Sequence, residues 1–336
     1  MTPFGVRRRG RALLRRLAVR ADSNFKFSFS FLDAQQRDGL EAVYRFCRAV
    51  DDIVDERPHG PVGEAVARAQ LAGWRRAVDT LYGVEGSVED ELDASREAST
   101  AGATWEAAAP DPAIASQLAA AIEQFDIPRE PLVEVIRGCA MDLDRSEYET
   151  LEQLEIYCYR VASCVGFACL PIFGNTTPDA HEFAHHLGLG MQYTNILRDV
   201  GEDAAEGRVY IPLEFLEAAD LGVHDLKIGV YDARFARVAR HMDDLARAHY
   251  AKAWAALERA PKAHRLVAAE IMGRTYAAIL DAVEAVDWDV FTRRVKIRRR
   301  DKLRIAASVL ARAATPRIGS GAPPEAEASS PYSSQR

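Results

Sequence analysis

Two pairs of aspartates, each spaced four residues apart, are the residues of this chain best suited to chemistry. The first pair is Asp51 and Asp55, and the second pair, far later in the chain, is Asp199 and Asp203. Residues four apart on a helix share one face, so each pair would present two carboxylates side by side. Such hard oxygen ligands suit Mg²⁺, which commonly binds one or two carboxylates together with phosphate oxygens of a substrate. The spacing therefore favours metal-assisted handling of a phosphate or diphosphate.

An arginine precedes the first aspartate of each pair. Arg48 stands three residues before Asp51, and Arg198 directly precedes Asp199. The planar fork of donors on arginine matches the geometry of a phosphate. Acidic pairs at this spacing are also common on solvated helix faces. Both pairs here lie among apolar residues, however, and a buried aspartate normally has a partner or a metal. The residues therefore indicate a diphosphate site.

Composition and charge limit the class of protein. The chain has 336 residues, of which 48% are hydrophobic and 28% charged, typical of a globular protein with a sizeable core. Its net charge of −7 gives no support to nucleic-acid binding. The five cysteines form no CxxC pair, and their odd number fits a reducing compartment. With no secretory signal evident, we expect a cytoplasmic protein without a nucleic-acid partner.

Two short segments oppose this overall acidity. Residues 6–20 carry seven arginines and no acidic residue, and residues 293–304 carry eight lysines and arginines against one aspartate. Basic amphipathic stretches can rest on an anionic membrane surface, and they can equally be solvated helix faces. Peripheral contact with the inner face of the membrane is therefore one of two open interpretations.

Apolar residues recur at spacings of three and four, and alternating runs are scarce, which predicts an all-α fold. The domain expected at 21–315 follows a basic segment at 1–20, contains a mobile acidic loop at 83–111 and precedes a disordered tail at 316–336. A helical bundle with a central cavity would fit, because metal sites in bundles use side chains on facing helices. The predicted helices are 34–56, 62–82, 112–125, 129–146, 151–173, 178–204, 230–259, 262–287 and 299–314.

Several motifs together resemble the squalene/phytoene synthase family, the head-to-head prenyl transferases. The resemblance implies an all-α isoprenoid-synthase fold in which two prenyl diphosphates are held through Mg²⁺ between two aspartate-bearing helices. Prenyl diphosphates are then the expected partners, and the oligomeric state stays open. The motifs follow the family's order at 49–55, 157–166, 192–203, 207–212 and 289–294.

The resemblance also implies a role for each matching residue. The four motif aspartates and Asn195 would bind metal. Tyr157 would stand beside the reacting allylic carbon and assist proton removal or diphosphate movement. Asn24 occupies a position where the family often has serine, and its amide retains a hydrogen-bond donor. The residues that match diphosphate-contacting positions are Asn24, Phe25, Tyr44, Arg48, Gln192, Asn195 and Arg198.

An allylic cation must be kept from water, which requires a dry, apolar cavity. Gly166 is expected either to let its helix bend around a prenyl chain or simply to allow close helix packing. Aromatic residues that could line the cavity, or belong to an ordinary core, are Phe25, Phe27, Phe29, Tyr44 and Phe46.

The choice of substrate rests on one motif. Residues 161–166 read Val-Ala-Ser-Cys-Val-Gly, a form that resembles the bacterial presqualene diphosphate synthases of hopanoid pathways, whereas phytoene synthases more often have Val-Ala-Gly. This favours joining two farnesyl diphosphates to presqualene diphosphate with release of diphosphate. The alternative is a phytoene synthase that joins two geranylgeranyl diphosphates. A reductive squalene synthase is less favoured, because no Gly-rich dinucleotide fingerprint is evident.

Two remote alternatives come from other classes. His181, Glu182 and His185 satisfy the zinc-protease pattern HExxH, although a third zinc ligand is not evident. A non-catalytic family member that binds lipid or assists assembly would be expected to lose motif aspartates or arginines. All of these are present here, which favours an enzyme.

Overall fold

The computed structural model describes residues 27–58, 60–84, 109–292 and 295–314. Within those ranges the chain is helical, and pairing of extended backbone is limited to one isolated bridge between Glu147 and Val209. The prediction of an all-α fold is therefore confirmed. The predictions for 1–20, for 316–336 and for most of 83–111 lie outside the described residues.

Most helix boundaries agree with the predicted ones to within a few residues. The predicted helix at 151–173 is interrupted by a π-helical turn at Tyr159–Ser163, and the one at 262–287 begins at Val267, after a 3₁₀ turn. Two short helices between 213 and 227 are not predicted by the sequence pattern. The helices are α1 (Ala34–Asp55), α2 (Pro61–Leu81), α3 (Pro112–Phe125), α4 (Arg129–Asp144), α5 (Leu151–Cys158), α6 (Cys164–Phe173), α7 (Pro178–Ala205), α8 (Leu213–Glu217), α9 (Val223–Lys227), α10 (Ala233–Arg259), α11 (Val267–Glu284) and α12 (Arg299–Ala314).

Side-chain caps fix the beginnings of the two helices that carry the aspartate pairs. The carboxylate of Asp33 accepts a hydrogen bond from the backbone N–H of Gln36 at 2.8 Å and begins α1. The hydroxyl of Thr177 accepts one from the N–H of Ala180 at 3.4 Å and begins α7, where Pro178 occupies the first turn. Such caps satisfy backbone donors that a helix end leaves open. These caps fix where each helix begins, and therefore the position along the helix at which its aspartate pair lies.

Helix α7 lies at the centre of the bundle and contacts α6, α10, α11 and the π turn. Gly188 is where α7 approaches the π turn most closely: a Cβ built there would lie 2.7 Å from the backbone of Ser163. The Ser163 hydroxyl also donates to the carbonyl of His185 at 2.9 Å. A Cβ built at Gly166 would lie 3.2 Å from the Cβ of Ala184, so this glycine serves close helix packing.

The aromatic residues near the chain's first described helix pack in two places. Phe46 is fully buried, and its ring meets that of Trp74 edge-on at 5.4 Å, so it belongs to the ordinary core. Phe27 meets Phe31 edge-on at 5.5 Å beneath α12. Neither residue lies in the crevice described below.

The stretch Leu151–Phe173 is long and apolar enough, by length and composition alone, to cross a membrane. In the bundle its second half, α6, packs against α1, α4 and α7. Buried helices in the core of a soluble protein pass the same test.

Gly188→Ala should destabilise the fold. The added methyl would meet backbone atoms of Ser163, which cannot rotate away, so we expect a loss of about 1–3 kcal/mol, typical of overpacking. Chemical denaturation followed by circular dichroism measures it. Gly190→Ala is the matched control, because its nearest neighbours are Tyr250 ring atoms at 3.1 Å that can shift. If both variants were equally stable, the close approach at Gly188 would be refuted.

Candidate active site

The first aspartate pair lies on α1 and is neutralised by arginine in the absence of ligand. Arg48 donates from Nη1 to Oδ2 of Asp51 at 2.6 Å and also binds Asp52. Asp55 accepts from Nη1 of Arg208 at 2.7 Å, a contact from a segment far away in sequence. The side chains of Asp51 and Asp55 keep 44% and 32% of their surface exposed, so incoming ligands can reach both.

The second pair lies on α7 in a similar arrangement. Arg198 donates from Nε to Oδ1 of Asp199 at 2.8 Å and makes a second bond from Nη2 to Oδ2. One turn earlier, the Asn195 amide donates to Oε1 of Gln192 at 3.4 Å. Oδ1 of Asn195 is buried and has no hydrogen-bond partner among the described residues. A buried oxygen of this kind is suited to a hard cation.

Arg208 connects the two aspartate-bearing helices. Its guanidinium binds Asp55 on α1, and its backbone N–H donates to the carbonyl of Asp203 on α7 at 2.9 Å. The next residue, Val209, donates its N–H to the carbonyl of Ser146 at 2.7 Å, which ties this segment to the end of α4. Both predicted carboxylate pairs therefore meet at one place.

A narrow crevice of about 10 Å³, about the space that one water molecule needs, lies beside this junction. Its polar lining comes from Asp203, Arg208 and Tyr210. The remaining lining residues are apolar: Ile196, Val200, Ala204, Val209, Ile211 and Leu226. The crevice thus places charged groups next to an apolar wall.

The carboxylates of the site lie close to one another and partly out of water. Loss of water raises the pKa of Asp51 to about 7, and the nearby Asp55 carboxylate adds to this effect while Arg48 opposes it. The pKa of Asp203 is raised well above its usual range, first by burial and then by Asp199. A group whose pKa is raised in this way gains from a bound cation.

Three tyrosine rings pack around one half-buried carboxylate beside the junction. Tyr157 donates to Oδ2 of Asp142 at 3.0 Å, and Tyr210 donates to Oδ1 of the same carboxylate at 3.0 Å. The rings of Tyr157 and Tyr210 stack at 5.2 Å, and Tyr148 lies against both. Burial raises the pKa of Asp142 to about 6, although Arg208 and both hydroxyls lower it.

Asp142, Arg208 and Tyr210 belong to this site, but sequence reasoning assigned them no role. Arg208 and Tyr210 stand within the motif at 207–212, so their presence there was the available signal. Asp142 stands on α4 between Met141 and Leu143, an acidic residue among apolar ones. The aspartate pairs also lie among apolar residues, but Asp142 lacks their second acidic residue four positions away.

The remaining predicted site residues divide into two groups. Tyr44 lies on α1 one turn before Arg48 and therefore on the same face of that helix. Asn24 and Phe25 lie outside the described residues, as do the arginines at 293 and 294 of the last motif.

The oxygen atoms of this site suit a divalent metal ion. Among the parts of the chain that the structure describes, no three His, Cys, Asp or Glu side chains form a ready-made metal cage. Mg²⁺ does not need one, because it usually takes one or two carboxylates and completes its shell with water and phosphate oxygens. The side chains that could hold it are Asp51, Asp55, Asn195, Asp199 and Asp203.

The HExxH residues have structural partners instead. His181 binds the carbonyl of Thr177 at 3.1 Å, and Glu182 is paired with Arg259 at 2.6 Å. His185 stacks on Phe167. The zinc-protease alternative gains no support from this arrangement.

Comparison with known proteins agrees with this architecture. A family model described as squalene/phytoene synthase matches residues 18–301. A 15-cis-phytoene synthase of Synechocystis is 31% identical over 298 residues, which cover 85% of this chain and 80% of the relative. A presqualene diphosphate synthase of Rhodopseudomonas palustris is 33% identical over 290 residues, which cover 85% of this chain and 92% of the relative.

Solved structures show the same fold. The crystal structure of a dehydrosqualene synthase in complex with ligand superposes with a TM-score of 0.69 at 24% identity, covering 93% of this chain and 99% of that one. The curated relatives divide between phytoene and presqualene diphosphate synthases at similar identity. This chain therefore belongs to the squalene/phytoene synthase family and is a prenyl transferase of the kind that condenses prenyl diphosphates head to head.

Proposed function

We propose that the protein joins two farnesyl diphosphates to presqualene diphosphate with release of one diphosphate, in a Mg²⁺-dependent reaction. The observation that supports this most directly is the meeting of two arginine-neutralised aspartate pairs, on α1 and α7, at Arg208. One such pair would suit a single diphosphate. Two pairs connected through Arg208 suit two substrates held side by side.

The arginine–aspartate pairs suggest how the site accepts its charged substrates. Without ligand, Arg48 and Arg198 neutralise Asp51 and Asp199. Metal at the carboxylates would free the guanidiniums, which could then turn their donors to phosphate oxygens. When bound, Mg²⁺ supplies positive charge to the departing diphosphate. Because the arginines are already in place, the site needs little rearrangement as that charge develops.

The tyrosine cluster is proposed to manage the carbocation and its proton. Both Tyr157 and Tyr210 donate their hydroxyl protons to Asp142, so the lone pairs of the Tyr157 oxygen remain available. After one allylic diphosphate departs, the double bond of the second substrate attacks the cation. A new cation forms, and loss of a proton closes the cyclopropane ring. Stacked aromatic faces stabilise nearby positive charge, and Tyr157 would receive that proton and pass its own hydroxyl proton to Asp142.

Two observations bear on the chain length of the prenyl substrate, and they favour different substrates. Ser163, which belongs to the motif typical of presqualene diphosphate synthases, is buried against α7 and donates to the carbonyl of His185. Relatives that make phytoene are equally similar overall, so geranylgeranyl diphosphate is the second candidate substrate. Incubation of the purified protein and Mg²⁺ with each diphosphate, followed by product identification, decides between them. We expect presqualene diphosphate; formation of phytoene alone would contradict the C15 assignment.

Neutralising the first aspartate of either pair should abolish turnover without unfolding the protein. Asp51→Asn and Asp199→Asn each remove one negative charge from the metal-binding face, and we expect kcat to fall by at least about 100-fold. Steady-state kinetics with farnesyl diphosphate measures this. Asp38→Asn, on the exposed side of α1, is the control and should keep wild-type activity. Near-normal turnover in either site variant would refute the metal-binding role.

Asp142→Asn should lower kcat about 10- to 100-fold and leave KM nearly unchanged, because an amide donor replaces one of the two carboxylate oxygens that accept from Tyr157 and Tyr210. Tyr157→Phe removes the other half of the same hydrogen bond. The double variant should therefore be little worse than the poorer single variant, as expected for coupled residues. Asp144→Asn, whose carboxylate faces Arg68 on α2, is the matched control on the same helix. Fully additive losses would show that the two residues act independently.

Divalent metal binding should release protons near neutral pH. The pKa of Asp51 lies at about 7 without ligand, so this carboxyl is largely protonated below that pH and must lose its proton to bind a cation. Calorimetry of Mg²⁺ plus inorganic pyrophosphate, in buffers of different ionisation enthalpy, measures the protons released. The proton release that exceeds that of pyrophosphate alone should be larger at pH 6 than at pH 8. The apparent affinity of the protein for Mg²⁺ should rise with pH. Asp51→Asn should lose this component; the same release from that variant would contradict the assignment.

A further inference from the structure

The last described helix carries an apolar stripe on its outer face that the bundle does not use. Leu303, Ala307, Leu310 and Ala314 of α12 are exposed and follow one another at spacings of four, three and four, which aligns them along one side. The two leucines keep 52% and 40% of their surface exposed. The adjoining side of α12, with Ala306 and Val309, packs on Ile271 of α11. The stripe is therefore not part of the fold's own core.

Cations border this stripe. Arg299 and Arg300 stand at the beginning of α12, and Arg304 flanks Leu303; the side chains of Arg300 and Arg304 are 68% and 76% exposed. Residues 295–314 contain seven lysines and arginines and one acidic residue, Asp301, in a chain whose net charge is −7. The positive charge is thus concentrated where the exposed leucines are.

We infer that α12 is a membrane-docking helix that lies in the plane of an anionic bilayer surface, with the stripe inserted between headgroups. A helix of this kind has an apolar face and cations beside it that reach lipid phosphates. A second copy of the chain fits the same stripe less well, because the seven cations of each copy would be brought together. The inference does not rest on the substrate assignment, since it uses only residues remote in sequence from the aspartate pairs.

Membrane docking would assist the release of the product. A docked enzyme releases a largely hydrocarbon product next to the phase that dissolves it. The charge contrast within the chain would also orient the molecule, because α12 is attracted to anionic lipid while the acidic remainder is repelled.

Vesicle sedimentation of the full-length protein tests this. We expect wild type to bind phosphatidylglycerol-containing vesicles at least about fivefold more tightly than neutral phosphatidylcholine vesicles. Leu303→Ser/Leu310→Ser should weaken binding about 10-fold or more with no change in charge, and Arg300→Glu/Arg304→Glu should also weaken it. The matched controls are Val62→Ser and Arg237→Glu, which alter an exposed apolar residue and an exposed arginine elsewhere. Thermal unfolding and prenyl transfer in detergent should match wild type for all four variants.

Three results would overturn the inference: no binding of wild type to anionic vesicles, unchanged binding by the leucine variant, or a wild-type dimer that the leucine variant dissociates. Should the leucine variant fail to fold, hydrogen exchange on wild type gives an independent answer. Amides of 299–314 should become more protected when anionic vesicles are added. Protection that is unchanged by vesicles would contradict docking through α12.

Discussion

The structure depends on the mutual neutralisation of buried and half-buried charges at one junction. Each aspartate-bearing helix carries an arginine that binds the first carboxylate of its pair, and Arg208 binds α1 through Asp55 and α7 through its backbone. Unpaired carboxylates among apolar residues would be costly. The same contacts that stabilise the ligand-free protein are the ones a metal-bound diphosphate would replace, so stability and proposed function use one set of residues.

The elements around the junction explain how these contacts are held in register. Caps at Asp33 and Thr177 fix where α1 and α7 begin, and the Glu147–Val209 bridge fixes the segment that carries Arg208. Gly188, on the face of α7 that also carries Asn195 and Asp199, lets the π turn approach within backbone contact. A π turn widens a helix locally and is frequent at functional sites. Here it begins two residues after Tyr157, at the end of the helix that carries that hydroxyl.

The fold and much of the site could be predicted from the sequence, because both depend on patterns among residues that are close together in the chain. Helical periodicity gave the helices, and the i,i+4 spacing with a nearby arginine singled out the pairs at Asp51 and Asp199. Contacts between residues that are distant in sequence could not be predicted in this way. Asp142 meets Tyr157 and Tyr210 only because the end of α4 pairs with the segment after α7, and no local pattern encodes that pairing. The π turn was also missed, because its residues are as helix-compatible as their neighbours.

The central claim is that metal and diphosphate displace the arginines from the carboxylates. A crystal structure with Mn²⁺ and a thiodiphosphate analogue of farnesyl diphosphate tests it most directly, because anomalous scattering locates the metal. The account predicts Mn²⁺ on the oxygens of Asp51 and Asp55 and on those of the α7 donors, with Arg48 and Arg198 turned to phosphate. Metal bound elsewhere, or arginines still paired with their carboxylates beside a bound analogue, would contradict it.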